Sequence, residues 1–284
     1  MAIQKKEMKD YKFKLGDIFS YIVLGAWGLV CIFPLYWMLT FSLKENSEIF
    51  GENVIGLPQN WVWSNYAAAM TTGNMGLYFL NTIIVTGLTI LLTAILSLMA
   101  TFGLRRLVWK GRDTINNVFM LGLTVPIHAA ILPIFLMLNK FGMRNSYQAL
   151  VLPYTGFALA MAIMICSGFI LNIPKELEEA ACIDGCSVYG IFFRIVLPLM
   201  KPALSTIAIF TFLNAWNELM FANIFVESDF RTISVGIQQF SGSYTVKWGP
   251  IGAALVLATF PTVILYAFMS KRIQQSLMAG AIKG

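Results

Sequence analysis

Charge is scarce in this sequence. Only 12% of its 284 residues are Asp, Glu, Lys or Arg, while 58% are hydrophobic and the mean hydropathy is +0.72. A soluble globular domain carries about 25% charged residues, so something other than water solvates this chain. Histidine is nearly missing, with His128 the single copy. One histidine, no H-E-x-x-H, no G-x-S-x-G and no Cys/His pair leave no catalytic constellation, and the chain is expected not to be an enzyme. It also lacks G-x-x-x-x-G-K-[ST], so it has no phosphate loop with which to hydrolyse ATP itself. The four cysteines, Cys31, Cys166, Cys182 and Cys186, suggest no disulfide framework. Cys182 and Cys186 are four apart, which would put them on one helical face. With no histidine nearby they read as small packing residues, and no metal or cofactor is expected on this chain.

What is present is long apolar sequence. Six stretches free of charge, or nearly so, lie near 18–41, 79–103, 115–139, 147–171, 203–226 and 250–270. Each is long enough for the roughly 20 residues that a membrane helix needs to cross about 30 Å of hydrocarbon. A β-barrel would instead show strands of about 10 residues with alternating polarity. The expected fold class is all-α: a polytopic membrane protein of six transmembrane helices. Residues 18–271 make one transmembrane domain, between a lead-in (1–17) and a tail (272–284). The lead-in sets Tyr11, Phe13 and Leu15 against Lys9, Lys12 and Lys14, and is expected to lie along the inner membrane surface. Its first apolar run is too long for a cleaved signal peptide.

Basic residues set the orientation. Fifteen of the 20 Lys and Arg fall before span one, between spans two and three, between spans four and five, or after span six. The other five, Lys44, Lys140, Arg144, Arg231 and Lys247, fall on the opposite side. Positive residues accumulate in cytoplasmic loops, so both termini and the loop between spans four and five are expected inside. The net charge of +6 then reflects topology, and no basic helix or basic-aromatic repeat points to nucleic acid. In the outer segment 42–78, Trp61, Trp63 and Tyr66 suit a membrane-water interface, with contact to an external partner as the other reading. Pro34, Pro126, Pro133, Pro153 and Pro261 fall within spans, where each removes a helical hydrogen bond. Kinks at Pro126 and Pro133 would let a gate flex or would only set static packing.

Span five carries the one intramembrane acid, Glu218. It lies 15 residues past Ala203, roughly 22 Å along a helix and so in the outer half. Helical spacing would put Thr211, Asn214, Asn217 and Glu218 on one stripe. Amides and carboxylates match hydroxyl groups, so the stripe suits the path of a hydroxyl-rich solute. The same groups could equally bond to neighbouring helices and hold the bundle together. His128 has only Glu218 as a conceivable relay partner, and one hydrogen bond would account for it.

The most specific feature is the loop after span four. Pro174 fits the first turn of a helix, and Glu176, Glu178 and Glu179 favourably meet its dipole. Ala180 and Ala181 allow close approach to another surface, and Gly185 allows a turn at positive φ. The expected shape is a short helix, a sharp turn and a second helix projecting as one knob. Glu179, Ala180, Ala181, Gly185, Ile195, Leu197 and Pro198 fit the spacing E-A-A-x-x-x-G-x9-I-x-L-P, with Asp184 just before the glycine. This spacing resembles the signature loop of the membrane subunits of bacterial ABC importers. Weaker similarity extends over nearly the whole chain to carbohydrate-importer permeases, closest to the smaller permease of maltose-type systems. It rests on Asn172 to Leu177, Asn145-Ser146 with Ala149-Leu150, Trp216-Asn217-Glu218 and Gly280 to Gly284.

The resemblance implies an ATPase-coupling loop. Glu179 would pair with a basic residue of the ATPase, Ala180 and Ala181 would allow close approach, and Gly185 would make the turn. Ile195, Leu197 and Pro198 would anchor the knob to span five. It further implies a second, different permease, two ATP-binding subunits that use ATP and Mg, an extracytoplasmic sugar-binding protein and a bacterial cytoplasmic membrane. The cargo would be a sugar or oligosaccharide, with a non-sugar solute such as glycerol phosphate as the alternative. A phosphate carrier should show basic residues within its spans, and none is visible. An ion-driven transporter would show several intramembrane charges and repeated halves, and neither is present.

Overall fold

The computed structural model describes residues 15–71, 73–240 and 247–281. Lys9, Tyr11, Lys12, Phe13 and Lys14 of the expected lead-in, and residues 282–284 of the tail, lie outside them. Every regular element among the described residues is helical. Helix α1 (Leu15–Ser42) leads through α2 (Asn46–Ile49) and α3 (Ser64–Thr71) to α4 (Met75–Arg105). Then follow α5 (Arg112–Leu121), α6 (Ile131–Lys140) and α7 (Gln148–Ile170). A compact run of α8 (Glu176–Ile183), α9 (Val188–Ile191) and α10 (Leu197–Leu199) precedes α11 (Lys201–Asn217). The chain ends in α12 (Met220–Phe225), α13 (Ile233–Phe240) and α14 (Trp248–Ala281), so much of the expected tail continues the last helix.

Four helices, α1, α4, α7 and α14, are long and apolar enough to cross a membrane alone. The number reaches six if each of two bent pairs counts as one span. The first pair, Arg112–Thr124 with Ile127–Lys140, bends by 98°, and the second, Val188–Leu199 with Lys201–Asn217, by 69°.

Two expected spans are corrected, the first by its 98° bend and the second by a separate break at Glu218, since the 69° bend lies before residue 201. Residues 115–139 are not one helix, because the chain is extended at Val125 (ψ 117°) and Pro126 (ψ 117°). Proline disfavours helix in the residue before it and contributes no N–H. Pro133 is no second kink, since it sits in the first turn of α6, where a missing donor costs little. Nor is 203–226 continuous. Helix α11 has 17 residues, about 25 Å, and stops at Asn217, while Glu218 is extended (φ −69°, ψ 130°). Glu218 therefore does not continue a helical stripe through Asn214 and Asn217. Pro34, Pro153 and Pro261, by contrast, lie inside α1, α7 and α14.

Helix α4 is central, packed against both α7 and α11. Its buried face carries Thr82, Thr86, Thr89, Thr93, Ser97 and Thr101, at steps of three and four. Small side chains at this spacing let helix backbones approach closely, which is how helices associate where lipid removes the hydrophobic drive. Some of these hydroxyls return to the backbone, while those of Thr86 and Thr93 are buried with no hydrogen-bond partner among the described residues. Thr82 Oγ1 donates to Tyr78 O and Thr89 Oγ1 to Val85 O, both at 2.7 Å. Elsewhere, Gly252 of α14 lies so close to Phe41 and Ser42 of α1 that a Cβ there would clash.

Polar side chains tie the loops at each end. At one end, buried Asn81 donates to Asp229 O (2.9 Å) and Arg231 O (3.0 Å) and accepts from Tyr147 Oη (2.8 Å). Asn145, at φ +53°, receives Glu227 N–H on its side chain and donates its own N–H to Phe225 O. Buried Lys44 donates to Asn53 O and Val54 O. Replacing Asn81 by Ala strands two carbonyls and a phenol, each buried polar loss costing about 1–3 kcal/mol. Asn81→Ala should therefore melt several degrees below its parent in detergent, followed, with Cys31, Cys182 and Cys186 replaced by alanine, by a thiol dye that reaches buried Cys166 only on unfolding.

Candidate functional site

Two places bring the sequence candidates together: a knob at one end of the bundle and a cavity inside it.

The knob begins with α8, whose first turn holds Glu176, Glu178 and Glu179. Pro174 lies just before Lys175, the residue that precedes the helix, and not within its first turn. At the far end Cys186 N–H bonds to Ala181 O (2.9 Å) and Gly185 N–H to Cys182 O (3.0 Å), with Gly185 at φ +80°. This paired pattern satisfies the last carbonyls of the helix and requires a left-handed residue, which glycine adopts without a Cβ penalty. Ser187 then caps α9, its Oγ accepting from Gly190 N (3.2 Å). The chain continues through a π-helical turn over Phe192–Val196 into α10. Because the glycine turn separates them, Cys182 (exposed) and Cys186 (half-buried) do not share a helical face.

The signature residues divide between two surfaces. Glu179, Ala180, Asp184, Gly185 and Pro198 are exposed. Ala181 and Leu197 pack on an apolar cluster formed by Leu98 and Phe102 of α4, Ile170 of α7 and Ile207 of α11. Ile195 is half-buried, and Ile191 and Val196 are the buried anchors that the spacing did not single out. Ala181 thus lies against its own chain. Around the exposed set the knob shows uncovered apolar groups, Ile183 at 87% and Tyr189 at 79% exposure among them.

Arg106 fixes the knob's base and Arg105 the helices beside it, and the sequence had marked both only as flanking charge. Arg106, its side chain 4% exposed, donates from Nη2 to Ile170 O (2.8 Å) and Ile173 O (2.7 Å). Its Nε lies 2.8 Å from Glu178 Oε1, a charge contact without hydrogen-bond alignment. Burial pushes the Glu178 carboxyl above the usual glutamate range, against the opposing pull of Arg106 and Lys175. Arg105 turns the other way, from Nε to Ser167 Oγ (3.1 Å) and from Nη2 to Asn116 Oδ1 (2.9 Å). Nothing in the spacing of an Arg-Arg pair says which carbonyls it will reach.

The cavity, about 670 Å³, lies where the two broken segments meet. Gly122, Leu123 and His128 line it from one break, and Asn217, Glu218 and Met220 from the other. Tyr154 and Phe157 of α7 and Thr89 of α4 complete much of its wall. His128 and Phe221 meet edge to face at 6.4 Å across the two breaks. Thr211, Asn214, Asn217 and Glu218 all line this space, although Glu218 does so from a non-helical position. Its carboxylate is occupied: Oε1 accepts from Phe221 N (2.8 Å), and Oε2 from Ala222 N (3.1 Å) and the Tyr154 hydroxyl. It caps α12 and ties that helix to α7. Asn217 Nδ2 returns to Leu213 O (2.8 Å), whereas Asn214 is exposed and makes no hydrogen bond among the described residues.

An all-helical bundle of membrane-crossing length, interrupted around a cavity at two facing breaks, is the architecture of a membrane permease. The chain belongs to the family of binding-protein-dependent transport system inner membrane components, whose family model matches residues 94–278. It is 35% identical over 270 residues to a permease protein of a trehalose/maltose transport system from Thermococcus litoralis, covering 93% of this chain and 96% of that one. A diacetylchitobiose uptake permease from Streptomyces coelicolor is 33% identical over 267 residues, 93% of this chain and 88% of that protein. A probable ABC transporter permease from Bacillus subtilis is 34% identical over 283 residues, 99% and 94%. The fold is shared with a bacterial ABC transporter involved in import of the acidic polysaccharide alginate (TM-score 0.81, 19% identity, 91% of this chain and 98% of that chain).

Glu218→Ala should leave two amides and a phenol without their acceptor and cost about 1–3 kcal/mol, whereas Asn214→Ala should stay within about 0.5 kcal/mol of wild type. Thermal melts of the two variants in detergent check both.

Proposed function

We propose that this chain is one permease subunit of an ATP-driven, binding-protein-dependent importer that carries a sugar or oligosaccharide into the cytoplasm. It crosses the bacterial cytoplasmic membrane six times, α5 with α6 serving as one span and α11 with α12 as another, with both termini and the α8–α10 knob inside. A second, different permease completes the pathway. Two ATP-binding subunits, which use ATP and Mg, grip the knobs, and an extracytoplasmic sugar-binding protein delivers cargo.

The observation that carries this reading is the knob. Its glycine turn is built within the chain, yet Glu179, Ala180 and Asp184 face outward beside uncovered Ile183 and Tyr189. An exposed apolar patch with a polar rim marks a protein interaction site. Arg105, Arg106, Lys110, Arg112, Lys175, Arg194 and Lys201 all belong to this end of the bundle, which supports its cytoplasmic placement. The cavity supports the cargo class. Among the described residues its lining holds no Lys or Arg, which disfavours a phosphate, and its Asn214 amide and aromatic Phe157 and Phe210 suit a neutral sugar. The sugar-uptake relatives point the same way.

Co-purification with the ATPase subunit, followed by sugar-stimulated ATP hydrolysis, tests the assignment. Wild type should capture the ATPase, while Glu179→Arg and Gly185→Asp should insert normally and lose coupling at least 10-fold. Retention of full coupling by both variants would sink the docking role of the knob.

A further inference from the structure

We propose that Arg106 positions the knob for coupling: it converts displacement of α8 into movement of α4 and α7, and Arg105 extends that movement to the cavity wall. The inference rests on the reading of the knob as the ATPase-docking element.

Most of what holds the knob is apolar packing, which resists separation but has little directionality. The Arg106–Glu178 pair is the one ion pair between α8 and the bundle among the described residues. Arg106 suits the task because it is fixed at every other point. Its backbone N–H makes a last helical bond of α4, to Phe102 O (2.9 Å). Its Nη2 holds the carbonyls of Ile170, the last residue of α7, and of Ile173, in the turn that follows it. A guanidinium is a planar, rigid fork, so the carbonyl bonds on one arm set where Nε lies for Glu178. Removal from water strengthens the contact, since the Arg106 side chain is 4% exposed and that of Glu178 15%.

One residue earlier, Arg105 bonds to Ser167 of α7 and Asn116 of α5. Helix α5 runs directly into Gly122 and Leu123 of the cavity lining. There the chain is packed tightly enough on α7 that a Cβ at Gly122 would lie 3.2 Å from that of Ala160. An ion pair at Glu178, followed by hydrogen bonds from Arg106 and Arg105, therefore links the acidic first turn of α8, through the end of α4, to the helix that borders the cavity. A pull on α8 that leaves Glu178 engaged must carry this corner of the bundle with it.

The test uses the assembled transporter, with its partner permease and ATPase subunits, in proteoliposomes and needs no knowledge of the cargo. With the four native cysteines replaced by alanine, Leu213→Cys places a reporter in the cavity for a membrane-impermeant maleimide. The labelling rate should change at least 5-fold between nucleotide-free and vanadate-trapped states. Glu178→Ala keeps a good helix former in α8 and leaves the carbonyl bonds of Arg106 intact. It should cut the change below 2-fold while the ATPase still co-purifies and hydrolyses ATP. In an Arg106→Met background the change should already be small, and Glu178→Ala should remove nothing more.

Full retention of the labelling change by Glu178→Ala overturns the proposal, even if Arg106→Met fails to fold. So does an equal additional loss in both backgrounds, which would mean that Glu178 acts directly on the ATPase. Failure of wild type to capture an ATPase subunit is a separate result. It removes the docking reading, and this inference with it, before any variant is compared.

Discussion

A helix that stops at membrane depth must find partners within the protein for its last carbonyls and for the next helix's first N–H groups. Hydrocarbon offers none, and each unsatisfied group costs several kcal/mol. In this chain Glu218 meets much of that need. Its two oxygens receive two backbone amides of α12 and the Tyr154 hydroxyl, so α11 can end and α12 restart without leaving those donors bare. At the facing break the solution is different, since Pro126 brings no donor to satisfy. The cavity exists because both segments abandon the helix where they face each other, as the His128–Phe221 contact shows.

The knob follows a related economy. A signature read along a sequence mixes residues that build a shape with residues that the shape presents. Gly185 makes the turn, and Ala181 and Leu197 hold the knob to the bundle. Glu179, Ala180 and Asp184 are left at the surface. Their recurrence in one pattern does not make them a single contact patch, and substitutions at the two groups should fail differently. Internal changes alter the shape of the knob, while external changes leave the shape and alter what can bind it.

Length and apolarity made α1, α4, α7 and α14 legible in the sequence, because a membrane demands about 20 apolar residues of any helix that crosses it unaided. The same criterion hid the two breaks. Residues 115–139 and 203–226 are as apolar as a continuous span, and hydropathy does not register a change of direction. Pro126 carried a local signal, which suggested a kink and not a 98° bend. Glu218 was placed on a stripe by counting helical steps across a point where the helix had ended. The four residues of that stripe still line one cavity, since a capping residue stays near the turn it follows. Arg105 and Arg106 read as topology markers because their meaning lies in partners outside α4, for Arg106 carbonyls more than sixty residues away and for Arg105 the side chains of Ser167 and Asn116. The hydroxyl stripe of α4 was passed over for a related reason. In a hydropathy count Thr is nearly neutral, whereas in a helix contact it is a small group that can bond to its own backbone.

The cavity's polar groups are not equally available to cargo. Glu218 looks from sequence like the strongest recognition group, but its acceptors are already used to cap α12. Withdrawing it for a ligand would expose the amides it satisfies. Asn217 likewise spends its donor on Leu213 O, which leaves Asn214 and the exposed His128 better placed to meet a solute. On the importer reading this is an advantage. A transport site must release what it binds, and a buried carboxylate free to grip hydroxyls would favour retention. On that reading a few uncommitted groups against aromatic walls would bind weakly enough for passage. Glu218 keeps a structural task, capping α12 and tying it to α7 beside the space through which, on that reading, cargo would move.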